Sequence, residues 1–324
     1  MNSFQYVTAH TLDEAASLLG KNGRYLAGGI DLLGEMKDYI VSPDVLVNVK
    51  EMSPQSEFKA IRLTNKDACL IGASVTVAEI AAHDDVKRVL PGLAEAAGEV
   101  GSPQIRNVAS LAGNLLQHSR CWYYRQPDIA CLKRGGSTCY AQEGENKYSA
   151  LFSGCACISP VVSNLSVILA ALGATVQLRR KGDLHELTIP ELYQEAWRNP
   201  SAHHSLQPGD LVLHVTIPLK RTRSAYRQQS EKAEFDWAMV SCAAAGNVAA
   251  GKVTDVRIAL GAIAPVPHMV EEAHHFLEGK PLNDATASQA ADLLLKGAKP
   301  LAQNGYKVPL AHTLIRRTLL ALNA

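Results

Sequence analysis

The 324-residue sequence lacks an excess of either charge, because its 32 basic residues nearly balance its 31 acidic ones. A formal net charge of +1 creates no long-range field for nucleic acid, and no basic stripe is interleaved with aromatic residues. No stretch approaches the roughly 18 continuous apolar residues that a membrane span requires. Residues 1–19 lack a basic segment followed by an apolar run, which predicts no signal peptide. These absences predict a soluble chain, cytoplasmic by default, with no nucleic-acid partner.

The sequence also lacks the common phosphate-binding motifs, since neither G-x-G-x-x-G nor G-x-x-x-x-G-K-[ST] occurs. It has no serine–histidine–aspartate arrangement with supporting context and no carboxylate pair suited to acid–base catalysis. A Rossmann or Walker type of nucleotide site is therefore excluded, and no catalytic base is evident.

The length of the chain predicts two domains, and 47% hydrophobic with 19% charged residues is typical of a globular protein. Capping boxes at Thr11 and Thr76 predict the starts of two helices, the first of which ends at Gly20. Strands are predicted at 24–27, 45–49, 70–73, 174–178, 211–217, 247–250 and 255–263. Helices are predicted at 31–39, 165–172, 236–245, 269–278, 285–296 and 308–322.

Two short segments that contain glycine suit a dinucleotide. In the first, residues 26–33 (LAGGIDLL), a strand ends in Gly28-Gly29 before a helix. The N–H groups of such a turn, with a helix N-terminus behind them, suit a pyrophosphate, although a simple strand–turn–helix joint explains the loop equally well. The second, residues 110–116 (SLAGNLL), is a common type of turn that contains an asparagine. The amide of this asparagine can both donate and accept hydrogen bonds.

Five of the seven cysteines crowd into one polar segment, residues 117–157, which shows no sustained helix or strand period. Loops of this length are usually functional or disordered, and the cysteines and aromatics argue against disorder. The five are Cys121, Cys131, Cys139, Cys155 and Cys157. Four thiolates suit an iron–sulfur cluster or a tetrahedral zinc ion, and the spacing does not decide between them. Disulfides are a third alternative.

Three further features are interpreted as surface features. The pairs His203-His204 and His274-His275 are predicted to be solvated, since adjacent histidines point in different directions. The basic run 179–181 before Gly182 is predicted to be a hairpin turn. None of them is assigned a functional role.

Taken together, the two glycine-containing segments resemble the FAD-binding loops of the flavin subunits of the xanthine dehydrogenase family. Residues 258–281 and 306–317 look like the C-terminal domain of the same subunits. The resemblance implies an α+β fold: a two-lobed FAD-binding domain of the vanillyl-alcohol-oxidase (PCMH) type at residues 1–215, and a smaller α/β domain at residues 216–324. The implied FAD-binding residues are Leu26, Ala27, Gly28, Gly29, Ile30, Asp31, Leu32, Leu33, Ser110, Gly113, Asn114, Asn164 and Lys232.

The cysteine-rich insertion at about 117–157 is similar to one branch of these subunits, which includes those of 4-hydroxybenzoyl-CoA reductase and periplasmic aldehyde oxidoreductase. That branch carries an extra [4Fe–4S] cluster in this loop. The resemblance implies that Cys121, Cys131, Cys139 and Cys157 bind such a cluster and that Cys155 is a spare thiol.

The sequence departs from the family pattern at three positions near the flavin. Asn164 stands where the family has an aspartate, and Ala112 stands where a glycine is usual. A family lysine falls at Gln228, which leaves Lys232 as the nearest cation. These departures affect the tuning of the flavin rather than its binding.

The resemblance also implies partners. A large subunit with a molybdenum cofactor would exchange electrons with the substrate, a small [2Fe–2S] subunit would relay them, and this chain would pass them to or from an external carrier such as ferredoxin. Four basic residues would raise the potential of the cluster or dock an acidic carrier: Arg120, Arg125, Lys133 and Arg134. Two alternatives stay open: an FAD subunit whose cysteine loop is a structural zinc or disulfide element, and a scaffold or sensor that passes no electrons. Co-export with a signal-bearing partner would place the chain in the periplasm.

Overall fold

The computed structural model describes residues 1–53, 58–64, 67–233 and 235–323. Helices and strands are mixed along the chain, and the strands form three separate sheets. The described buried hydrophobic residues form three clusters, and the five-stranded sheet and the C-terminal sheet each contribute to two of them. This is the predicted α+β arrangement, with two sheets in the first two thirds of the chain and one in the last third.

The N-terminal lobe is a three-stranded parallel sheet with strand order β1–β3–β2. Its strands are β1 (Gln5–Thr8), β2 (Gly23–Leu26) and β3 (Val45–Asn48), and its helices are α1 (Leu12–Leu18) and α2 (Leu32–Lys37). The Thr11 hydroxyl accepts from the backbone N–H of Glu14, so the predicted helix start is confirmed. Because β2 and β3 are parallel, the loop after β2 leaves the sheet at the edge where β3 also ends.

The second lobe is a five-stranded antiparallel sheet with strand order β4–β5–β8–β6–β7. Its strands are β4 (Ile61–Thr64), β5 (Ala68–Gly72), β6 (Thr175–Arg180), β7 (Asp183–Thr188) and β8 (Leu211–Pro218). Its helices are α3 (Val77–Ala82), α4 (Asp84–Val89), α5 (Pro91–Gly98), α6 (Pro103–Arg106), α7 (Leu111–Leu115), α9 (Asn164–Leu172) and α10 (Ile189–Arg198). The Thr76–Glu79 capping box and the turn between β6 and β7 match the predictions.

The cysteine-rich segment runs between α7 and α9 and has little regular structure. It contains the one-turn helix α8 (Trp122–Arg125) and a 3-10 turn at Leu132–Arg134. Its hydrogen bonds are mostly local turns, which agrees with the absence of a helix or strand period in its sequence.

The C-terminal part is a three-stranded antiparallel sheet with strand order β9–β10–β11, covered by three helices. The strands are β9 (Arg223–Gln229), β10 (Val240–Ala249) and β11 (Lys252–Gly261). The helices are α11 (Glu271–Leu277), α12 (Asp284–Leu295) and α13 (Lys307–Leu320), followed by a 3-10 turn at Ala321–Asn323.

The predicted helix at 236–245 is wrong, because most of that segment belongs to β10. Alternate residues of this strand enter two different cores: Ala243 and Ala245 pack with the second lobe, whereas Cys242 and Ala244 pack with the C-terminal helices. A central strand that is buried on both faces shows no alternation of polar and apolar residues, so it resembles a buried helix in sequence.

Strand β8 lies between β5 and β6 in the middle of the five-stranded sheet. The boundary predicted between residues 215 and 216 therefore falls inside a strand of the second lobe. The next strand, β9, belongs to the C-terminal sheet.

The end of the cysteine-rich segment is fastened to the C-terminal helices. Lys307 is fully buried, and its Nζ donates to the carbonyl oxygens of Tyr148 at 2.9 Å and Ala262 at 2.8 Å. Asn304 donates to the carbonyl oxygen of Ser149 at 3.1 Å. These contacts replace the regular structure that the segment lacks.

We expect Lys307→Met to lower the unfolding temperature by several degrees. The change leaves two buried carbonyl oxygens without a donor, at a cost of roughly 1–3 kcal/mol each. Burial lowers the pKa of Lys307 to about 7, whereas the unfolded lysine stays protonated up to its ordinary value of 10.5. Between pH 7 and 10 the unfolded wild-type chain therefore binds more protons than the folded chain. The contribution of Lys307 to the free energy of unfolding rises with pH in that window.

Thermal unfolding of wild type and Lys307→Met at pH 7 and pH 9.5 measures this effect. The unfolding temperature of Lys307→Met should lie farther below that of the wild type at pH 9.5 than at pH 7. The exposed Lys299→Met serves as control and should show no such widening. A deficit that narrows with rising pH would contradict the assignment.

In the part of the chain that the structure describes, no helix has the length and apolar character needed to cross a membrane.

Candidate functional site

A cavity of about 630 Å³ lies between the N-terminal lobe and the second lobe. Its wall is formed mainly by four segments, at 23–32, 109–118, 204–212 and 235–237. Pockets for small molecules and cofactors typically measure about 300–1,000 Å³. The cavity is therefore large enough for a dinucleotide.

Most of the predicted FAD-binding residues line this cavity. They are Leu26, Ala27, Gly28, Gly29, Ile30, Asp31, Leu32, Ser110, Gly113, Asn114 and Asn164. Leu33 and Lys232 do not belong to the lining, and the side chain of Lys232 is exposed. Among the described residues, the arginines and lysines of the lining are Arg24 and Arg120, of which Arg24 is exposed.

The first glycine-containing loop lies at Gly28 against Val108, two residues before the second loop. A Cβ atom added there would stand 2.1 Å from the carbonyl oxygen of Val108 and 2.8 Å from its carbonyl carbon. Gly29 follows with a φ of +73°, in the left-handed region that favours glycine. The sequence A-G-G therefore permits a close approach of two backbone segments and a sharp turn at the cavity wall.

Two residues of the second loop hold that loop in place. Ser110 Oγ accepts from the N–H of Gly113 at 3.1 Å, which caps the start of α7. Asn114 Oδ1 accepts from the Ser163 hydroxyl at 2.8 Å, which fastens the loop to the start of α9. Both side chains are buried, so their main effect on a ligand is to fix the backbone around it.

The asparagine at the predicted flavin end of the cavity has an amide partner. Asn164 Nδ2 donates to Gln228 Oε1 at 2.9 Å, and the Tyr226 hydroxyl donates to the same oxygen at 3.1 Å. Gln228 in turn donates to Glu99 at 3.2 Å. Two of the three positions that depart from the family pattern are thus neutral amides joined by a hydrogen bond.

Two acidic residues connect the first loop with the cysteine-rich segment. Asp31 accepts from the backbone N–H of His118 at 2.6 Å and from the guanidinium groups of Arg120 at 2.8 Å and Arg125 at 2.7 Å. Glu35, which is 1% exposed, accepts from the hydroxyl of Tyr124 at 2.7 Å. We call Asp31, Glu35, His118, Arg120, Tyr124 and Arg125 the bridging network.

The charges of the bridging network compensate one another. Burial opposes the ionisation of Glu35, but His118 Nδ1 at 3.0 Å, Tyr124 and Arg125 together lower the pKa of this carboxyl below its usual value. Burial and the neighbouring Glu35 carboxylate raise the pKa of Tyr124, so its hydroxyl stays protonated. The Glu35 carboxylate is therefore held as an anion inside the protein.

Asp31, Glu35 and His118 also bring three potential metal-ligand atoms within 4.8 Å of one another. Their donor and acceptor atoms are already used, because Asp31 binds two guanidinium groups and Glu35 binds His118 and Tyr124. A cation at this position would compete with Arg120 and Arg125, so the group is better explained as an ion-pair network.

The four predicted cluster ligands line a second, smaller cavity. They are Cys121, Cys131, Cys139 and Cys157. Cys155 does not line it. Tyr124 belongs to this lining, and the Glu35 that it contacts lines the large cavity. The two cavities are therefore separated by the bridging network.

None of the seven cysteines, all of which lie in described parts of the chain, forms a disulfide. A hydrogen bond from Cys157 lowers the pKa of the Cys139 thiol to about 6 and raises the pKa of Cys157. Burial raises the pKa of Cys121. Four free thiols around one cavity are a suitable donor set for a metal centre.

Family models match almost the whole chain. The model described as the FAD binding domain in molybdopterin dehydrogenase matches residues 2–220, and that described as the CO dehydrogenase flavoprotein C-terminal domain matches residues 224–322. The chain belongs to the FAD-binding medium subunits of the molybdenum hydroxylase family. The resemblance predicted from the sequence is confirmed.

Two curated relatives are similar along the full length of this FAD-binding subunit. The aldehyde oxidoreductase FAD-binding subunit PaoB of Escherichia coli is 32% identical over 100% of this chain and 98% of its own. The carbon monoxide dehydrogenase medium chain of Afipia carboxidovorans is 24% identical over 98% and 96%. The subunit is therefore part of an oxidoreductase.

Solved structures support the same fold. The copper- and molybdenum-containing CO dehydrogenase matches with a TM-score of 0.76 and 23% identity, covering 99% of this chain and 98% of the other. Quinoline 2-oxidoreductase from Pseudomonas putida matches with a TM-score of 0.76 and 22% identity, covering 99% and 97%. The predicted fold, an FAD-binding domain followed by a smaller C-terminal domain, is confirmed.

The prediction that the two histidine pairs are solvated is wrong for three of the four residues in this FAD-binding subunit. His203 stacks on His118 with ring centroids 4.0 Å apart, and burial lowers its pKa well below the ordinary value. Burial also lowers the pKa of His204, to about 4, and His204 lines the large cavity. His274 is buried and bonds the backbone of Ile258, whereas His275 is exposed.

The structure contradicts a docking role for Lys133, one of the four basic residues predicted to raise the potential of the cluster or dock an acidic carrier. Lys133 is 9% exposed, and its Nζ donates to the carbonyl oxygens of Pro200 at 3.3 Å and Ala202 at 2.6 Å. Arg134 donates to the carbonyl oxygens of Gln126 and Pro127. Lys133 attaches the cysteine-rich segment to residues 200–202, whereas the contacts of Arg134 stay within that segment, so charge reversal at these positions would test folding as well as docking.

The bridging network was missed by the sequence analysis as a connection between two sites. Asp31 and Glu35 are four residues apart and so share one face of α2, which is a recognisable signal for a charged helix face. Nothing in the spacing shows that this face meets Arg120 and Arg125, because they are about 90 residues away in the chain.

Proposed function

We propose that this chain is the FAD- and [4Fe–4S]-carrying electron-transfer subunit of a heteromeric molybdenum-dependent oxidoreductase. The observation that carries the proposal is the pair of neighbouring cavities, one lined by the glycine-containing loops and the other by four free thiols, with a shared wall. Cofactors that exchange electrons need to lie near each other in a fixed arrangement. The bridging network supplies that arrangement.

The large cavity fits FAD, and the residues that would hold it are those of the two glycine-containing loops together with Asn164. The approach of Gly28 to Val108 leaves no room for any other side chain beside the backbone at the cavity wall. Ser110 and Asn114 fix the second loop from behind. Lys232 has no part in this proposal, because its side chain lies outside the cavity lining.

The small cavity fits an iron–sulfur cluster better than a zinc ion. A zinc ion with bonds of about 2.3 Å holds four sulfurs within about 3.8 Å of one another. All four cysteines are described, yet no three of their sulfurs all lie within 4.8 Å of one another. A multi-atom cluster holds its thiolates farther apart than a single ion does, so the wide spacing supports the cluster, and the hydrogen-bonded Cys139 and Cys157 would have to separate to bind it.

When bound, the two cofactors would supply the capacity to accept and release electrons. The protein binds them, excludes water and fixes their surroundings. Glu35 and Tyr124 form the buried contact between the two cavities, and the four thiols present their sulfurs to one space. No residue of this chain is assigned to acid–base catalysis of the substrate reaction.

The partners follow from similarity. Relatives named as FAD-binding subunits or medium chains imply larger assemblies, so we propose a large molybdenum-cofactor subunit and a small [2Fe–2S] subunit. The name of PaoB favours an aldehyde among the substrate classes (aldehyde, aromatic compound or CoA thioester). An external carrier such as ferredoxin would complete the path. We also propose that the FAD domain ends and the C-terminal domain begins within residues 219–222, between β8 and β9.

The proposal is tested on the complex purified without oxygen from its natural source. We expect one FAD and about four iron and four acid-labile sulfide ions per chain beyond those of the small subunit. Zinc in place of iron would support the structural alternative. A colourless protein, or a flavin that substrate cannot reduce through the partner subunits, would support the scaffold alternative.

A further inference from the structure

Arg120 stands at the junction of the two cavities. Its peptide bond leads directly to Cys121, which lines the small cavity, while its own side chain lines the large one. Its guanidinium Nη2 lies 2.8 Å from Asp31 Oδ1, and its Cζ lies 4.7 Å from the ring centre of Trp237. The side chain is thus held between the first glycine-containing loop and the segment at 235–237.

One donor of this guanidinium is not satisfied. Arg120 Nε is buried and has no hydrogen-bond partner among the described residues. A buried donor without an acceptor costs roughly 1–3 kcal/mol. The large cavity is the space from which an acceptor can reach the guanidinium.

Arg125 also pairs with Asp31. Arg120 can therefore bind an anion in the large cavity while the Asp31 carboxylate keeps a cationic partner. Arg125 Nη2 binds the same oxygen, Asp31 Oδ1, at 2.7 Å. Arg125 does not belong to the lining of the large cavity. When the guanidinium of Arg120 turns toward an anion, Asp31 therefore retains a cation.

We infer that Arg120 is a binding residue for the pyrophosphate of FAD. The inference rests on the proposed function, because it requires FAD in the large cavity. Three observations carry it: the guanidinium lines the cavity, its Nε has no hydrogen-bond acceptor, and it forms an ion pair with Asp31. Asp31 lies two residues after the Gly28-Gly29 turn. A planar guanidinium with several donors matches phosphate oxygens well.

The test compares Arg120→Met with Arg125→Met in the intact complex after its flavin has been removed. FAD is titrated by the quenching of its fluorescence, and ADP, which has the pyrophosphate but no flavin, is titrated by calorimetry. Loss of a charge-assisted contact should raise the Kd of Arg120→Met for both ligands about tenfold or more. Arg125→Met, which removes a partner of Asp31 outside the cavity, should raise either Kd by clearly less than Arg120→Met does.

Three results would overturn the inference: unchanged FAD affinity in Arg120→Met, an equal loss in Arg125→Met, or a loss for FAD without a loss for ADP. The second would mean that Arg120 acts only through Asp31, and the third would place it at the flavin ring. If Arg120→Met does not fold, as judged by circular dichroism, Arg120→Lys replaces it. That variant keeps the charge without the planar group and should raise both Kd values severalfold. Failure of the wild-type complex to bind any FAD would instead refute the proposed function.

Discussion

Cys131→Ser should remove the proposed iron–sulfur cluster from the chain. Iron attributable to this subunit should fall from about four atoms to less than about one, because three thiolates and a hydroxyl hold such a cluster poorly. Cys131 is 5% exposed and lines the small cavity, so no thiol from solvent replaces it easily. Iron and acid-labile sulfide analysis of the oxygen-protected complex measures the loss, and electron paramagnetic resonance of the reduced complex shows which signal disappears.

Cys155→Ser is the matched control for this prediction. Cys155 belongs to the same segment but lies outside the lining of the small cavity, and its thiol contacts the carbonyl oxygen of Cys157. Its replacement should leave the iron content unchanged. Equal loss of iron in both variants would mean that the ligand set includes Cys155, and retention of iron in Cys131→Ser would remove Cys131 from it.

Local features of the fold could be predicted from the sequence because they depend on neighbours in the chain. The capping interactions of Thr11 and Thr76 connect residues three positions apart, and the turn at Lys181-Gly182 is decided by residues that tolerate a positive φ. The glycine-containing loops were found for the same reason. Gly28 is required by the close approach of two backbone segments, and Gly29 is required by a left-handed turn.

Features that depend on the third dimension could not be predicted in this way. Strand β10 looks like a helix because both of its faces are buried by different cores. The position of Lys133 was misjudged because a charged residue in a polar segment is usually solvated. Only the folded chain shows that its ammonium group reaches the carbonyl oxygens of Pro200 and Ala202.

The cysteine set and its surroundings illustrate the same limit within the site. The number of thiols indicated a metal centre, but the spacing along the chain did not choose among zinc, iron and disulfides. The structure adds the distribution of the thiols around one cavity and the wall that Glu35 and Tyr124 form toward the other. These are contacts across about 90 residues, and no local pattern encodes them.

Gly28→Ala should weaken the retention of FAD. The added Cβ would stand 2.1 Å from the carbonyl oxygen of Val108, which is backbone and cannot rotate away. Relief of this overlap requires the two glycine-containing loops to separate, and both loops line the cavity. Overpacking of this kind typically costs about 1–3 kcal/mol, which corresponds to roughly a 5- to 150-fold loss of affinity if the bound arrangement bears the cost. The ratio of flavin absorbance to protein in the purified complex measures the retention, and titration with FAD measures the Kd.

Gly34→Ala provides the control for that change. Gly34 lies in α2 a few residues beyond the same loop, and a Cβ added there meets nothing within 4 Å. Alanine also favours the helical conformation over glycine, so the variant should bind FAD as the wild type does and unfold at an equal or slightly higher temperature. If Gly28→Ala retained its flavin while its fold was intact, the close approach of the two loops would not be what shapes the cofactor site. If Gly34→Ala lost flavin to the same extent, the binding would depend on α2 itself rather than on the space between Gly28 and Val108.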